Sequence, residues 1–342
     1  MLGVSAYFKD LDLNYLEEVS KYGVKFVFTS IHIPEDDKAD IESKLPIFLA
    51  QCQKLDLFIV PDVSPRTFEK LNLSINDFEG LKNKGFKAIR LDFGFDDPSE
   101  IAKLQKDFII MLNASVMTKE DLLKCEKAGL ELDKIILTHN FYPHKNTGLD
   151  ENYFIERNSD FVSMGLRIQA FVCGDDLRRY PLYEGLPTLE KHRGINPFVA
   201  SVELMKKYGI TEIMIGDSKA KIETIKHIHE YMENNVIHIK ASLEEPYEYM
   251  YNECFSIRPD SGKLIRLAIQ RNNNVEQFHT VNRPVGSITM DNQLYGRYSG
   301  EVSLVNDDLE CDARVNVIGY IHQEYIPLLA YLDKEIRIKF IR

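Results

Sequence analysis

The sequence predicts an α/β protein: a (β/α)8 barrel of parallel strands followed by a smaller, mostly β domain. Three observations carry that prediction. Eight short runs rich in Val, Ile and Phe recur along the first two thirds of the chain, segments of helical period lie between most of them, and strand-like alternation takes over beyond about residue 235. The runs are Val4–Tyr7, Phe26–Phe28, Leu57–Val60, Ala88–Phe93, Phe108–Leu112, Ile135–Leu137, Ile168–Val172 and Ile213–Ile215. Eight strand–helix units in roughly 235 residues match the ~250 residues typical of a closed parallel barrel. An open doubly wound sheet is the alternative, but neither a G-x-G-x-x-G segment nor a P-loop follows any of the runs.

The connecting segments carry helix signals of their own. Leu13, Leu16 and Val19 share a face, and Gly23 stands where a helix terminus favours a left-handed residue. Thr118 with Asp121 forms a capping box ahead of Leu122 and Leu123, and Gly129 closes that helix. Ser218 is expected to cap a last helix whose Ile222, Ile225, Ile228 and Met232 line one face. In the tail, Lys263–Leu267 follows the turn Pro259–Gly262, and Ile336, Ile338 and Phe340 alternate near the end. These textures place the domains at residues 1–235 and 236–342, with no compositionally flexible linker between them.

Composition narrows the function. The chain has 342 residues, 44% hydrophobic and 28% charged, with 18 Gly and 13 Pro, so it is globular, not disordered. Forty-two basic against 53 acidic side chains give a formal charge of −11, and neither predicted domain is basic by itself. A nucleic-acid or anionic-membrane binder is therefore not expected, although a few convergent cations can still hold a small anion. There is no basic leader segment and no run of about 18 apolar residues, so a cytoplasmic protein is expected. The five cysteines, Cys52, Cys125, Cys173, Cys254 and Cys311, form no C-x-x-C pair and read as small buried thiols.

In a barrel of this kind, function gathers where the loops at the C-terminal strand ends converge. Within Ala88–Phe93, alternation puts Ala88, Arg90 and Asp92 on one face, and Ile89, Leu91 and Phe93 on the other. The apolar face should meet the helices, which points Arg90 and Asp92 into the mouth, either as a mutual ion pair or as a functional carboxylate held by a cation. The other strand ends supply Tyr7, Thr29, Ser30, His32, Asp62, Asn113, Ser115, His139, Asn140, Tyr142, Asp175, Asp176 and Asp217. Lys25, Lys87 and Lys134 precede their strands and lie at the opposite rim, which argues against Schiff-base chemistry. A long segment after the seventh run joins Arg178, Arg179, His192 and Arg193 to Glu184 and Glu190. Such a mixture suits an anionic, hydroxyl-bearing substrate, with a Glu whose pKa a partly apolar loop can raise; the plain alternative is a solvated surface loop. His32, His139, His192, Asp62 and Asp92 could meet around a metal. No metal-binding motif occurs, however, and neither a catalytic metal nor a cofactor is expected.

Four segments, FTSIHIPEDD (28–37), IRLDFG (89–94), HNFYPHKNTGL (139–149) and PLYEGLPTLEKHR (181–193), together resemble the MupG-type family of 6-phospho-N-acetylmuramidases. The resemblance runs along the whole chain. It implies a (β/α)8 barrel with a C-terminal cyclophilin-like β-barrel, and cytoplasmic hydrolysis of the β-1,4 bond of 6-phospho-N-acetylmuramyl-N-acetylglucosamine in peptidoglycan recycling. One departure is His144 before Lys145, where the family pattern has a basic residue directly after the Tyr-Pro. Such chemistry needs two carboxyl groups, or one and the substrate's acetamido oxygen. From strand-end position we expect Glu184 as general acid and Asp92 as nucleophile or electrostatic partner, with Glu190 and Asp62 in reserve. Arg90, Arg178, Arg179, His192 and Arg193 are candidates for phosphate or carboxylate, and Asn113, His139, Asn140, Tyr142 and Asp217 for the rest of the sugar. The partner is thus a small phosphorylated disaccharide, with a homodimer left open. Two other classes remain: a non-catalytic sugar-phosphate binding protein and a metal-dependent phosphosugar isomerase or epimerase.

Overall fold

The computed structural model describes residues 1–31, 38–258, 262–272 and 274–342. His32, the rest of the 28–37 segment beyond Ile31, and Pro259, Asp260 and Ser261 of the expected turn lie outside the described residues. The chain divides into two compact units, Met1–Lys226 and His227–Arg342, the division falling within a helix.

The first unit is the eight-stranded parallel barrel. Its elements are β1 (Leu2–Ser5), α1 (Leu13–Ser20), β2 (Val24–Thr29), α2 (Lys38–Lys54), β3 (Phe58–Val63), α3 (Pro65–Lys70), α4 (Phe78–Asn83), β4 (Ala88–Leu91) and α5 (Pro98–Leu104). There follow β5 (Ile109–Asn113), α6 (Lys119–Lys127), β6 (Ile136–Thr138), α7 (Glu151–Ser163), β7 (Arg167–Val172), α8 (Pro197–Tyr208), β8 (Glu212–Ile215) and α9 (Ile222–Asn234). Each of the eight apolar runs overlaps a strand, and β1 pairs with both β2 and β8, which closes the sheet.

Of the expected signals, Thr118 and Asp121 form the capping box of α6; α1 is started by Asp12, which the sequence reading did not name and which accepts from the backbone N–H groups of Asn14 and Tyr15. Gly23 and Gly129 take φ of 72° and 103° after those helices, the left-handed region that glycine enters without Cβ strain. Ser218 is a correction: its hydroxyl donates to Asp10, and α9 begins later, at Ile222. The cap comes from another loop, where Asp175 accepts from Lys221 N–H at 2.8 Å and from Thr224 Oγ1 at 2.7 Å.

Inward side chains fill the barrel. Phe26, Val60, Ala88, Met111, Ile136 and Met214 belong to one buried cluster, closed towards the C-terminal ends by Phe28, Phe141 and Phe171 with ring centroids 5.1 to 5.6 Å apart. Burying such a side chain stabilises by about 1.5–3 kcal/mol, and the edge-to-face geometry adds to it. That apolar plug is the floor beneath the polar strand ends.

The second unit is a closed seven-stranded barrel ordered β10-β11-β13-β12-β14-β9-β15. It comprises β9 (Val236–Leu243), β10 (Phe255–Ile257), β11 (Leu264–Ala268), β12 (Ser287–Asp291), β13 (Val302–Val305), β14 (Val315–Ile321) and β15 (Arg337–Ile341). All pairs are antiparallel except β9 with β15. Closure leaves no edge strand exposed. The five cysteines are free thiols, but only Cys52, Cys125 and Cys173 are buried; Cys254 and Cys311 are exposed, against the expectation that all five would be core. No helix among the described residues is long and apolar enough to cross a membrane.

Candidate active site

The parallel register sets Asp62 of β3 level with Arg90 of β4, and both point inward from their strands. Arg90 Nη1 donates to Asp62 Oδ1 at 2.6 Å and lies 3.5 Å from Asp92 Oδ1, while Nη2 donates to Asn140 Oδ1. Arg90 is 3% exposed, so its charge depends on these partners in a medium where an isolated ion would cost several kcal/mol. The expected choice between an Arg90–Asp92 pair and a functional carboxylate therefore resolves unevenly: Asp62 is the close partner and Asp92 the distant one. Asp92 keeps a 25% exposed side chain whose other contact is Asn113 Nδ2 at 3.4 Å. Among the described residues it is the carboxylate of this cluster with acceptor capacity to spare. Arg90 Nε is buried without a partner among the described residues, a cost tolerated in functional clusters.

Behind this cluster stands a second network. Ser115 Oγ accepts from Asn140 N–H at 2.9 Å and lies 3.3 Å from His139 Nδ1, whose Nε2 meets Asn158 Oδ1 at 2.9 Å. His139 is 0% exposed, and burial pushes its pKa down to about 4, so the ring is neutral near pH 7. Its parity is opposite to that of Asn140, and it faces helix α7 instead of the mouth. Tyr142 is half-buried, with Ser115 and Asn140 beside its side chain. Thr188 Oγ1 donates to Asn140 O at 2.8 Å and accepts from Phe171 N–H, which pins Asn140 to β7.

The loops after β6 and β7 form one zipped body. Tyr142 N–H donates to Pro187 O, Leu149 N–H to Thr188 O, and Glu190 N–H to Leu149 O. Glu190 Oε1 and Oε2 accept from Asn146 N–H at 2.9 Å and Gly148 N–H at 2.8 Å, and Arg193 closes on the same carboxylate with two 2.7 Å bonds. Those donors hold the Glu190 carboxyl down at about 2. Arg193 also donates to the carbonyls of Gly185, Tyr142 and His144, so its fork is spent on the loops. Gly148 is required here, since a Cβ would come within 2.7 Å of Glu190 Oε2 and 2.8 Å of its backbone N.

Glu184 sits on the same body. Its Oε2 accepts from Lys145 N–H at 2.9 Å, which holds the carboxyl below the usual range; the upward shift expected for an acid in an apolar loop is not what this arrangement produces. Glu184 thus grips the loop whose Asn140 touches Arg90, so Glu184 and Asp92 belong to one rim of the barrel. Asp217 is 1% exposed and accepts backbone N–H bonds from Gly174, Arg179 and Leu186, while burial raises its pKa. It shapes the loop base. His192, 1% exposed, turns its Nε2 to Glu203 of α8 at 2.9 Å, away from the mouth. Arg179 is buried over the Tyr7 ring at 4.6 Å. Arg178 is half-exposed, and among the described residues its one hydrogen bond is a long 3.4 Å contact to Tyr183 O.

Asn158 was not singled out from the sequence: it lies in mid-helix, and its position does not differ in pattern from ordinary surface polarity. Asp175 was read as a polar strand-end group, whereas its carboxylate is spent on the start of α9. No three His, Cys, Asp or Glu side chains among the described residues are grouped so as to hold a metal ion.

Two protein-family models match the chain, 6-phospho-N-acetylmuramidase, N-terminal over residues 2–230 and 6-phospho-N-acetylmuramidase, C-terminal over 236–341. No curated protein matches it. Among solved structures, a conserved protein of unknown function from Enterococcus faecalis is similar over 100% of this chain and 96% of its own, at 28% identity and a TM-score of 0.85. An uncharacterized B. cereus protein is similar over 100% and 99%, at 22% identity and a TM-score of 0.79, a likeness of fold.

Proposed function

The chain belongs to the 6-phospho-N-acetylmuramidase family, a family of glycosidases, and from that premise we propose that it hydrolyses 6-phospho-N-acetylmuramyl-N-acetylglucosamine at its β-1,4 bond. The products are N-acetylmuramic acid 6-phosphate and N-acetylglucosamine, released in the cytoplasm during peptidoglycan recycling. The observation that supports this reading most is Asp92, a partly exposed carboxylate with only long contacts, set beside a buried guanidinium at the C-terminal strand ends.

Glycoside cleavage passes through an oxocarbenium-like transition state, which a fixed negative charge stabilises. Asp92 supplies that charge, as nucleophile or as partner to the substrate's acetamido oxygen. Asp62 and Asn140 hold Arg90 from two sides, and Arg90 with Asn113 orients Asp92. The leaving oxygen of N-acetylglucosamine needs a proton. Glu184 is the donor in this proposal, and substrate must first break its bond to Lys145 N–H, because the carboxyl is ionised while that bond lasts. Arg178 takes the phosphate: it lies in the loop after β7, a region where barrels of this class commonly bind phosphate, and most of its donors are unspent. Asn140 and Tyr142 serve the acetamido and hydroxyl groups, whereas Glu190, Arg193, His192 and Asp217 act through the loops that they hold.

Turnover of the phosphorylated and the unphosphorylated disaccharide tests the proposal. Asp92→Asn and Glu184→Gln are expected to lose about 10²-fold or more in kcat. Arg178→Ala should raise KM for the phosphorylated substrate alone. If both carboxyl variants keep wild-type melting behaviour and turn over within about tenfold of wild type, the assignment of roles is overturned.

A further inference from the structure

Large aromatic rings stand exposed in the segments that follow three strands of the first barrel: Phe93 after β4, Tyr153 in the first turn of α7, and Tyr183 after β7. Tyr153 is committed to the fold, since its hydroxyl donates to Ser115 O at 3.2 Å and the Arg157 guanidinium lies 5.3 Å from its ring centroid. The other two adjoin the carboxyl groups of the proposed reaction, Phe93 directly after Asp92 and Tyr183 directly before Glu184.

Tyr183 is held in place at a cost. Its φ is 55°, in the left-handed region that a bulky side chain rarely enters. Two bonds fix the backbone there: Tyr183 N–H donates to Arg179 O at 3.1 Å, and Arg178 Nη1 donates to Tyr183 O at 3.4 Å. The ring returns little to the fold, being 51% exposed and meeting the Tyr180 ring edge-on with centroids 6.2 Å apart. Tyr180 is itself braced from the loop after β1, where Lys9 Nζ stands 3.2 Å from its centroid. Glycine would make the same turn without strain, so the tyrosine is explained by what its ring meets outside the fold.

We propose that Tyr183 determines specificity for the leaving sugar, its ring being the platform on which the N-acetylglucosamine half of the disaccharide lies. The inference rests on the hydrolase reading, with Glu184 as donor to the leaving oxygen. That oxygen belongs to N-acetylglucosamine, which is thereby drawn to the stretch of loop that carries Glu184; adjoining residues have Cα atoms only about 3.8 Å apart. A pyranose presents an apolar face of C–H groups and a rim of hydroxyls, and an aromatic ring left in water covers the first while polar neighbours serve the second. That face is the same before and during bond cleavage, so the contact acts on binding and shows in KM more than in kcat.

The test gives the full chain two substrates: the phosphorylated disaccharide, and the β-fluoride of N-acetylmuramic acid 6-phosphate, whose leaving group brings no second sugar. Tyr183→Ala keeps the carbonyl that Arg178 binds. It is expected to raise KM for the disaccharide at least tenfold with kcat within threefold, and to change KM for the fluoride less than twofold. Tyr183→Phe retains the ring and should keep the wild-type KM. Arg178→Ala is the contrast and should raise KM for both substrates, because both carry the phosphate. An unchanged KM for the disaccharide in Tyr183→Ala overturns the platform, and so does an equal rise for both substrates, which marks a disturbed loop. Calorimetric titration with N-acetylglucosamine alone reads the platform without turnover. In a chain that hydrolyses neither substrate, binding weakened at least tenfold by Tyr183→Ala and kept by Tyr183→Phe supports the platform and removes only the hydrolase reading. Binding that is absent from that wild-type chain, or equal in it and in Tyr183→Ala, overturns the platform as well.

Discussion

Replacing Glu190 by Gln tests whether the loops after β6 and β7 are one body. The carboxylate accepts four hydrogen bonds, from Asn146 N–H, Gly148 N–H and twice from Arg193, and its pKa falls from 4.5 to about 2. A displacement of that size corresponds to roughly 3 kcal/mol at about 1.4 kcal/mol per tenfold. The side chain is 27% exposed, so solvent screening brings the working figure down to about 1–2 kcal/mol. Because the loops open locally, amide hydrogen exchange at Asn146 and Gly148 reads the loss directly, as exchange about 5- to 30-fold faster in the variant. The pH dependence has a definite sign. A carboxyl with a depressed folded pKa stabilises fully above its unfolded value and progressively less as pH falls through the folded one. The gap between wild type and Glu190→Gln should therefore be constant above about pH 5.5 and narrow from pH 4.5 towards 2. Unchanged protection at the two amides, or a gap that does not narrow in acid, would refute the clamp.

Three further outcomes follow from the same geometry. Gly148→Ala pushes a methyl against Glu190, and a fall in melting temperature with faster exchange at Asn146 is expected; wild-type melting would show that the loop yields freely. His139, with a folded pKa of about 4 against an ordinary 6.5, takes its proton first in the unfolded chain, so it makes stability fall as pH drops from 6.5 towards 4, by at most about 3 kcal/mol. Denaturant titrations at pH 7.5 and pH 5 should show that slope reduced in His139→Gln, and identical slopes would contradict it. Asp217→Asn keeps one acceptor for three backbone donors; increased proteolysis between Gly174 and Leu186 is the expected result, and an unchanged cleavage pattern would reject its place as loop anchor.

Strand alternation made Arg90 and Asp92 legible, since a two-residue period assigns faces without any knowledge of partners. The same parity separates His139 from Asn140, one turned to α7 and the other to the mouth. It could not say that Asp62, 28 residues away, would be the close partner of Arg90, because register across β3 and β4 is a tertiary fact. The charged loop after β7 was legible as special and misleading in detail. Glu190 and Arg193 are an i, i+3 pair whose groups serve neighbouring backbone, and a free cation and a spent one look alike in a sequence.

What the amino-acid order determined by itself was periodic or local: eight apolar runs with helices between them, the caps of α1 and α6, the change to β texture, and the family. Each depends on residues a few positions apart, whose energies are set before the chain folds. Tertiary structure alone decided which ionised groups are engaged. Arg193 is consumed by the Glu190 carboxylate and the carbonyls of Gly185, Tyr142 and His144, Arg178 is nearly unused, and Asp175 caps a helix that begins 47 residues later. The reason is that Coulomb energy and hydrogen bonding depend on distance and burial, and both are fixed only when remote segments meet.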